Sequence, residues 1–185
     1  MAPTFLLSLV SCLVLFTAAG CTGPGPSTDL LANAPQTVNV ASGVFQAGGP
    51  IPVVHSCHGE NTSPQLAIDE LPAGAVTVAL IMDDPDAPRG PFTHWIFWDL
   101  PRSHNRLATD EDVTASGARE GTNSADEIGY TGPCPPSGTH RYRFYAFAVD
   151  GTLGLPSGAD VTALRGILSG HVLAWGLVEG TFSAP

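Results

Sequence analysis

Short apolar runs closed by glycine or proline constrain this chain more than any other feature. Residues 76–82 (VTVALIM) run straight into Asp83-Asp84-Pro85, residues 92–100 lie between Pro91 and Pro101, residues 141–149 lie between Gly138 and Gly151, and residues 173–182 follow Gly170. Runs of this length, rich in β-branched and aromatic residues and bounded by turn formers, read as strands. With 21 Gly and 17 Pro in 185 residues, the chain favours many turns and short strands over a helical bundle. Residues 37–46 show partial alternation and read as a further strand. The strands at 76–82 and 92–100 are expected to pair through the turn at 83–91. One segment has a different period. Val161, Leu164, Ile167 and Leu168 fall on one helical face, with Asp160 as N-cap, which predicts a short amphipathic helix over 160–169. Residues 102–129 are polar and acidic and read mostly as loop. The expected fold class is mainly β: an antiparallel β-sheet sandwich with one or two short peripheral helices.

The N-terminus reads separately. Residues 5–16 are an apolar run too short for a bilayer, which takes about 20 residues, but suited to a signal peptide. Small residues 17–20 lead to Cys21. This resembles a bacterial lipobox, although Ala18 replaces the usual Leu and the leader has no Lys or Arg. The alternative is an ordinary signal peptide cut after Ala19 or Gly20. Residues 22–28 are Gly, Pro, Ser and Thr, a composition that packs no core. The expected organisation is a signal peptide at 1–20, a lipidated Cys21 with a flexible linker at 21–36, and one domain at 37–185. That makes the protein exported and anchored in the membrane through an N-terminal lipid. Lipidation of Cys21 leaves Cys57 and Cys134 as a pair. In an oxidising compartment they bridge or remain two buried thiols, and a bridge is favoured because both lie in Gly/Pro-rich loops.

Charge narrows the partners. The formal net charge is −10, all seven basic residues are Arg, and residues 1–21 carry no Asp, Glu or Arg, so the exported chain keeps the whole imbalance. Such a body repels nucleic acid, which is bound mainly through neutralised phosphates. An anion site on it has to be local, built from backbone N–H groups, His and one or two Arg.

Three loop segments carry the candidate chemistry. Asp83-Asp84-Pro85-Asp86-Ala87-Pro88 is a rigid acidic turn in which Ala87–Pro88 is a candidate cis bond. His94 sits between Thr93 and Trp95 inside an aromatic strand. Residues 129–142 form a Gly/Pro loop, with backbone N–H groups suited to an anion, leading into His140-Arg141-Tyr142. On an extended strand His140 and Tyr142 share one face and Arg141 takes the other. Each segment alone has an ordinary structural reading.

Together, Asp84-Pro-Asp-Ala-Pro88, His94-Trp95 and Gly132-Pro-Cys-Pro-Pro-Ser-Gly-Thr-His-Arg-Tyr142 resemble the phosphatidylethanolamine-binding proteins, also called Raf-kinase-inhibitor-like proteins, and most closely their bacterial branch. The similarity spans about residues 37–182 and includes Cys57-His-Gly-Glu-Asn-Thr-Ser-Pro64 and Gly170-His-Val-Leu-Ala174. It implies a β sandwich with a small surface pocket for phosphate, acetate or a phospho-headgroup. The implied ligand-binding residues are Asp84, His94, His140 and Tyr142, with Gly132, Pro133 and Pro135 in the loop forming a wall and Arg141 holding the loop from behind. Phe182 stands where bacterial relatives often have Tyr, and His58 where they often have Asp or Glu. The pairing of two imidazoles with a carboxylate predicts anion affinity that weakens as pH rises through the histidine pKa values.

The first functional reading is therefore non-enzymatic binding of a small anionic ligand or a phospholipid headgroup. The second is an interaction protein, an inhibitor of an extracytoplasmic protease or a kinase, working through loops around the pocket or the acidic 109–127 region. The third, ranked last, is a metal-dependent hydrolase using Asp84, His94 and His140 as a two-His-one-carboxylate set. No HExxH or G-x-S-x-G motif accompanies it. No cofactor and no resident metal are expected.

Overall fold

The computed structural model describes Met1 and residues 27–184. The leader run, Cys12 and Cys21 lie outside the described residues. Strands β1 (Asn39–Ser42), β2 (Leu66–Asp69) and β5 (Arg106–Leu107) form a small antiparallel sheet in the order β1-β2-β5. Strands β3 (Thr77–Asp84), β4 (Phe92–Pro101), β6 (Arg119–Glu120), β7 (Thr139–Val149) and β8 (Val172–Ser183) form a larger one in the order β6-β4-β3-β7-β8. Every pairing is antiparallel. Two helices, α1 (Ser27–Ala32) and α2 (Val161–Leu168), accompany the sheets. The mainly β architecture expected from the sequence is the one observed.

Alternation along the strands of the large sheet builds two cores. Leu80, Met82, Trp95, Phe97 and Phe144 meet Val40, Leu66 and Ile68 of the small sheet. Ala79, Ile81, Ile96, Trp98, Phe147 and Val149 face the other way, under Leu164 and Leu168 of α2. The large sheet is thus the middle of three layers. Buried on both faces, its central strand β3 has to be apolar along its middle, as residues 78–82 are. Asp160 caps α2 as expected, accepting the Ala163 N–H at 2.8 Å.

Three local expectations need correction, and a further one, that 102–129 is mostly loop, holds with short additions. The strand read over 37–46 is only four residues long, because the chain leaves the sheet at residues 43–49 to turn under β8. The polar stretch 102–129 contains the two-residue strands β5 and β6 and a 3-10 turn at Val113–Ser116. Helix α1 occupies part of the stretch read as linker, and Leu30 is drawn into the second core by apolar neighbours far away in sequence. Ala87–Pro88 is trans, and no peptide bond among the described residues is cis.

The two sheets approach closely where the chain before β1 crosses β8. Val38 N–H donates to Trp175 O at 3.1 Å and Trp175 N–H to Pro35 O at 3.1 Å. A Cβ on Gly176 would sit 2.1 Å from Val38 O, a backbone atom that cannot swing aside. Gly176→Ala is therefore expected to destabilise the fold by about 1–3 kcal/mol. Gly166, on the exposed side of α2 with nothing near its missing Cβ, predicts the opposite sign: Gly166→Ala gains about 0.5–1 kcal/mol. Urea denaturation of the two variants beside the wild type measures both.

Candidate functional site

The turn between β3 and β4 is held before any ligand arrives. Asp84 Oδ1 accepts the Asp86 N–H at 2.8 Å, folding the turn onto the strand end. Asp86 is in turn gripped by Arg141 on β7, whose backbone N–H, Nε and Nη2 donate at 2.9, 2.9 and 2.7 Å. These hydrogen bonds hold the Asp86 carboxyl well below the usual carboxylate range. Arg141 points away from the pocket, as the alternation along β7 requires, but it holds the 84–88 turn and not the 132–135 loop that it was expected to hold.

His94 reaches the site through an irregularity. Met82 pairs with Trp95 and Asp83 with Thr93, so His94 is left unpaired between them as a β-bulge. Strict alternation would send His94 to the face opposite Trp95. The bulge turns it to the side occupied by Asp84 and Phe92, and its ring centroid lies 4.7 Å from that of Phe92. Its Nδ1–H donates to Thr131 O at 2.8 Å. Burial pushes the His94 pKa below its ordinary value of 6.5. At neutral pH it is a neutral imidazole with its proton on Nδ1 and the Nε2 lone pair available. His140 is oriented differently: its Nδ1 donates to Asp84 Oδ2 at 2.7 Å, with side-chain exposures of 10% and 5% for the two partners.

Asp84, His94 and His140 open on a single cavity of about 640 Å³, whose wall also includes Gly132, Arg89 and Phe92. The far wall consists of two laced loops. Cys57 and Cys134 form a disulfide with Cα atoms 5.5 Å apart. Cys57 N–H donates to Pro133 O at 3.1 Å, Tyr130 O–H to His55 O at 2.6 Å, and Gly132 N–H to Asn61 Oδ1 at 2.7 Å. Gly132 is required: a Cβ there would meet His55 O at 2.4 Å and Asn61 Oδ1 at 2.7 Å.

Not every expected residue reaches the cavity. Tyr142 is fully buried, packed edge-on against the His94 ring with centroids 5.2 Å apart, and its hydroxyl lies against the Cys134 backbone. Burial raises its pKa strongly. It supports His94 from below and does not line the wall. Pro133 and Pro135 are buried behind the wall, whereas Cys134 and Pro136 line it. The expected nest of free N–H groups is largely absent. Thr131 N–H is taken by His94 O and Gly132 N–H by Asn61, and the prolines have none to give. Sequence reasoning missed Arg89, which sits in the turn without an ion-pair or hydrogen-bond partner among the described residues. On a chain whose other arginines are mostly paired to acids, an Arg inside the Asp84–Phe92 turn was the available signal.

The three proposed metal ligands have most of their donor atoms committed elsewhere. Both Asp84 oxygens and the Nδ1 atoms of both histidines are in hydrogen bonds. Among the described residues, the donors that do cluster within 4.8 Å belong to Cys57, His58 and Cys134, and the disulfide occupies two of them.

Comparison with known proteins agrees with this fold. The sequence model of the family described as phosphatidylethanolamine-binding protein matches residues 41–183. The chain is 38% identical over 148 residues to a UPF0098 protein of Methanothermobacter thermautotrophicus, covering 78% of this chain and 98% of that one. It is 37% identical over 170 residues to LppC of Mycobacterium tuberculosis, which is named as a lipoprotein, covering 89% of this chain and 80% of the relative. Among solved structures, CT736 of Chlamydia trachomatis, described as a homologue of the phosphatidylethanolamine-binding proteins, superposes with a TM-score of 0.77 at 35% identity, over 81% of this chain and 99% of that one. YbcL of E. coli, described as a member of the same family, gives 0.75 at 26%, over 80% and 99%. The chain belongs to the phosphatidylethanolamine-binding protein family.

Two outcomes test the site as built. Replacing both Cys57 and Cys134 with Ser removes a closure of 77 residues and is expected to cost roughly 4 kcal/mol of stability by loop entropy, read from urea midpoints. Long-range ¹H–¹⁵N spectra of the imidazoles should show His94 neutral at pH 7, protonated at Nδ1, and titrating below 6.5. A His94 cation at neutral pH would contradict the burial argument.

Proposed function

We propose that this protein binds a small phosphorylated ligand, or the phosphate of a lipid headgroup, in the His94–His140 cavity, without turning it over. The observation that carries this reading is convergence. A bulge-placed histidine, a carboxylate-oriented histidine and an unpaired arginine open on one preformed cavity, on a chain whose net charge is −10. Arg89 supplies the charge that favours an anion. His140, held by Asp84, offers Nε2 toward the ligand. The His94 Nε2 lone pair accepts the hydroxyl of a phosphate monoester or the N–H of an attached amine at neutral pH, and donates once protonated. Nothing in the set pairs a nucleophile with a base, which favours binding over catalysis.

The domain is further proposed to work outside the cytoplasmic membrane, tethered through Cys21. The lipobox-like segment, the odd set Cys21, Cys57 and Cys134 that is left if Cys12 departs with the leader, and the lipoprotein name of one relative support this. Intact-mass analysis of the protein extracted from membranes should show acyl chains that disappear in Cys21→Ala.

Isothermal titration with phosphoethanolamine, ethanolamine and inorganic phosphate tests the ligand. Phosphoethanolamine and phosphate should bind and ethanolamine should not. His140→Ala should weaken binding about tenfold or more, as loss of a charge-assisted hydrogen bond does. Arg89→Ala should weaken it and flatten its salt dependence. Because burial lowers the His94 pKa, protonation of that ring adds affinity only as pH falls below 6.5. The part of the affinity that comes from His94 protonation should therefore be gone by about neutral pH. Equal affinity for ethanolamine, or indifference to both substitutions, would contradict the proposal.

A further inference from the structure

The bridge that closes the wall of the cavity is exposed at both cysteines, and an exposed histidine stands beside it. The Cys57 and Cys134 sulfurs and one ring nitrogen of His58 all lie within 4.8 Å of one another. Among the described residues no other three His, Cys, Asp or Glu donors gather so closely. While the bridge stands, the two sulfurs are committed to each other and the group holds no ion.

Reduction changes the chemistry of this group without dispersing it. Exposed disulfides belong to the labile class, open to attack by an external thiolate. A dithiol supplies two electrons and two protons: the bridge becomes two thiols, and the dithiol leaves as its own disulfide. The loops that carry the thiols stay tied by bonds that reduction does not touch. Cys57 N–H donates to Pro133 O at 3.1 Å, Tyr130 O–H to His55 O at 2.6 Å and Gly132 N–H to Asn61 Oδ1 at 2.7 Å. The His58 ring is stacked on Phe182, with centroids 6.3 Å apart and planes within 16°. Its backbone N–H donates to Ser56 Oγ at 3.2 Å.

Two thiolates and an imidazole are donors that suit zinc. Tetrahedral bonds of about 2.0–2.3 Å put ligand atoms roughly 3.5–4 Å apart, so side-chain rotation closes the group around an ion. Each thiol releases its proton on binding, and two thiolates then balance the charge of a divalent ion. The net charge of −10 also favours a cation. We propose that reduction of the Cys57–Cys134 bridge creates a site for a thiophilic divalent ion of the zinc type, held by Cys57, His58 and Cys134 with water in the fourth position. The site lies in the wall of the larger cavity and does not depend on what that cavity binds.

Zinc and cobalt are the probes. The untagged full chain is reduced under nitrogen with a water-soluble phosphine, which is removed before metal is added. Reduced wild type should retain one zinc per chain through gel filtration, and the oxidised protein and reduced Cys134→Ser none. Cobalt should give a thiolate charge-transfer band and the visible bands of a tetrahedral centre. His58→Ala, which keeps both cysteines, should weaken zinc about tenfold or more, read by competition with a chromophoric chelator. Because reduction costs stability, near-UV circular dichroism of the reduced wild type should show that the chain stays folded. Equal zinc retention by oxidised and reduced protein, or retention by Cys134→Ser, would overturn the proposal. So would a cobalt spectrum without sulfur charge transfer, an affinity indifferent to His58→Ala, or unfolding on reduction.

Discussion

Strand β3 has no face in water. Each of its residues from Thr77 to Asp84 is buried, with the small sheet over one side and the helices over the other. A strand in that position tolerates a polar side chain only where a partner meets it. The chain nevertheless ends β3 with two consecutive carboxylates. The pleat sends them to opposite faces, and each side of the sheet has to supply its own answer. Asp84 meets His140 and the Asp86 N–H on one face. Asp83 meets Arg143, with Arg165 nearby, on the other. Both partners come from β7, three residues apart, because β7 pairs with β3 in fixed register and repeats the same alternation. The cavity at Asp84 and the smaller one at Asp83, of about 210 Å³, are both consequences of that one strand end.

The wall facing Asp84 and His140 depends on long-range covalent and hydrogen-bonded closure instead of regular structure. Residues 53–64 and 129–136 contribute no long strand. They are stitched by the disulfide, by Tyr130 to His55, and by Gly132 to Asn61. Such loops lose much of their freedom before a ligand arrives. Part of the ordering cost of binding is then already met in folding. The same stitching uses up the backbone N–H groups that a looser Gly/Pro loop would offer to an anion. On the proposed reading, recognition would then fall on side chains: two imidazoles and Arg89.

Much of this was legible in the sequence, and the failures have definite causes. The strands at 76–82, 92–100, 141–149 and 173–182 and the helix after Asp160 follow from period and punctuation, which are local. Asp84, His94 and His140 were picked out by motif, and they converge. Tyr142 was assigned to the ligand by the family motif it shares with His140, yet two residues along a strand is enough to move from the cavity into the core beneath it. The bulge at His94 depends on how β3 and β4 register against each other, and no residue in the strand announces it. Helix α1 hides in a linker-like composition because its stabilising neighbours, Ile81 and Phe147 among them, are contributed by distant strands. Asp83 read as one more charge in an acidic turn, since only the burial of both sheet faces distinguishes it from Asp84.

The acidic charge gives the placement of the arginines a meaning that composition alone lacks. At physiological ionic strength exposed charges are screened beyond about 8 Å, so the excess of carboxylates does not forbid an anion site. It requires that the site's own cations not be neutralised by neighbours. Arg106, Arg141 and Arg143 are each bonded to an Asp, and Arg102 to backbone carbonyls. Among the described residues Arg89 and Arg119 have no carboxylate within bonding distance, and Arg165 has one only at 3.7 Å. Of these three, Arg89 opens on the larger cavity and Arg165 on the smaller. A chain with seven cations and seventeen acids would bury or pair every arginine if charge balance were the only demand on it. On the proposed reading, Arg89, unpaired at the wall of the larger cavity, is where an anion from outside the chain would find an attractive field.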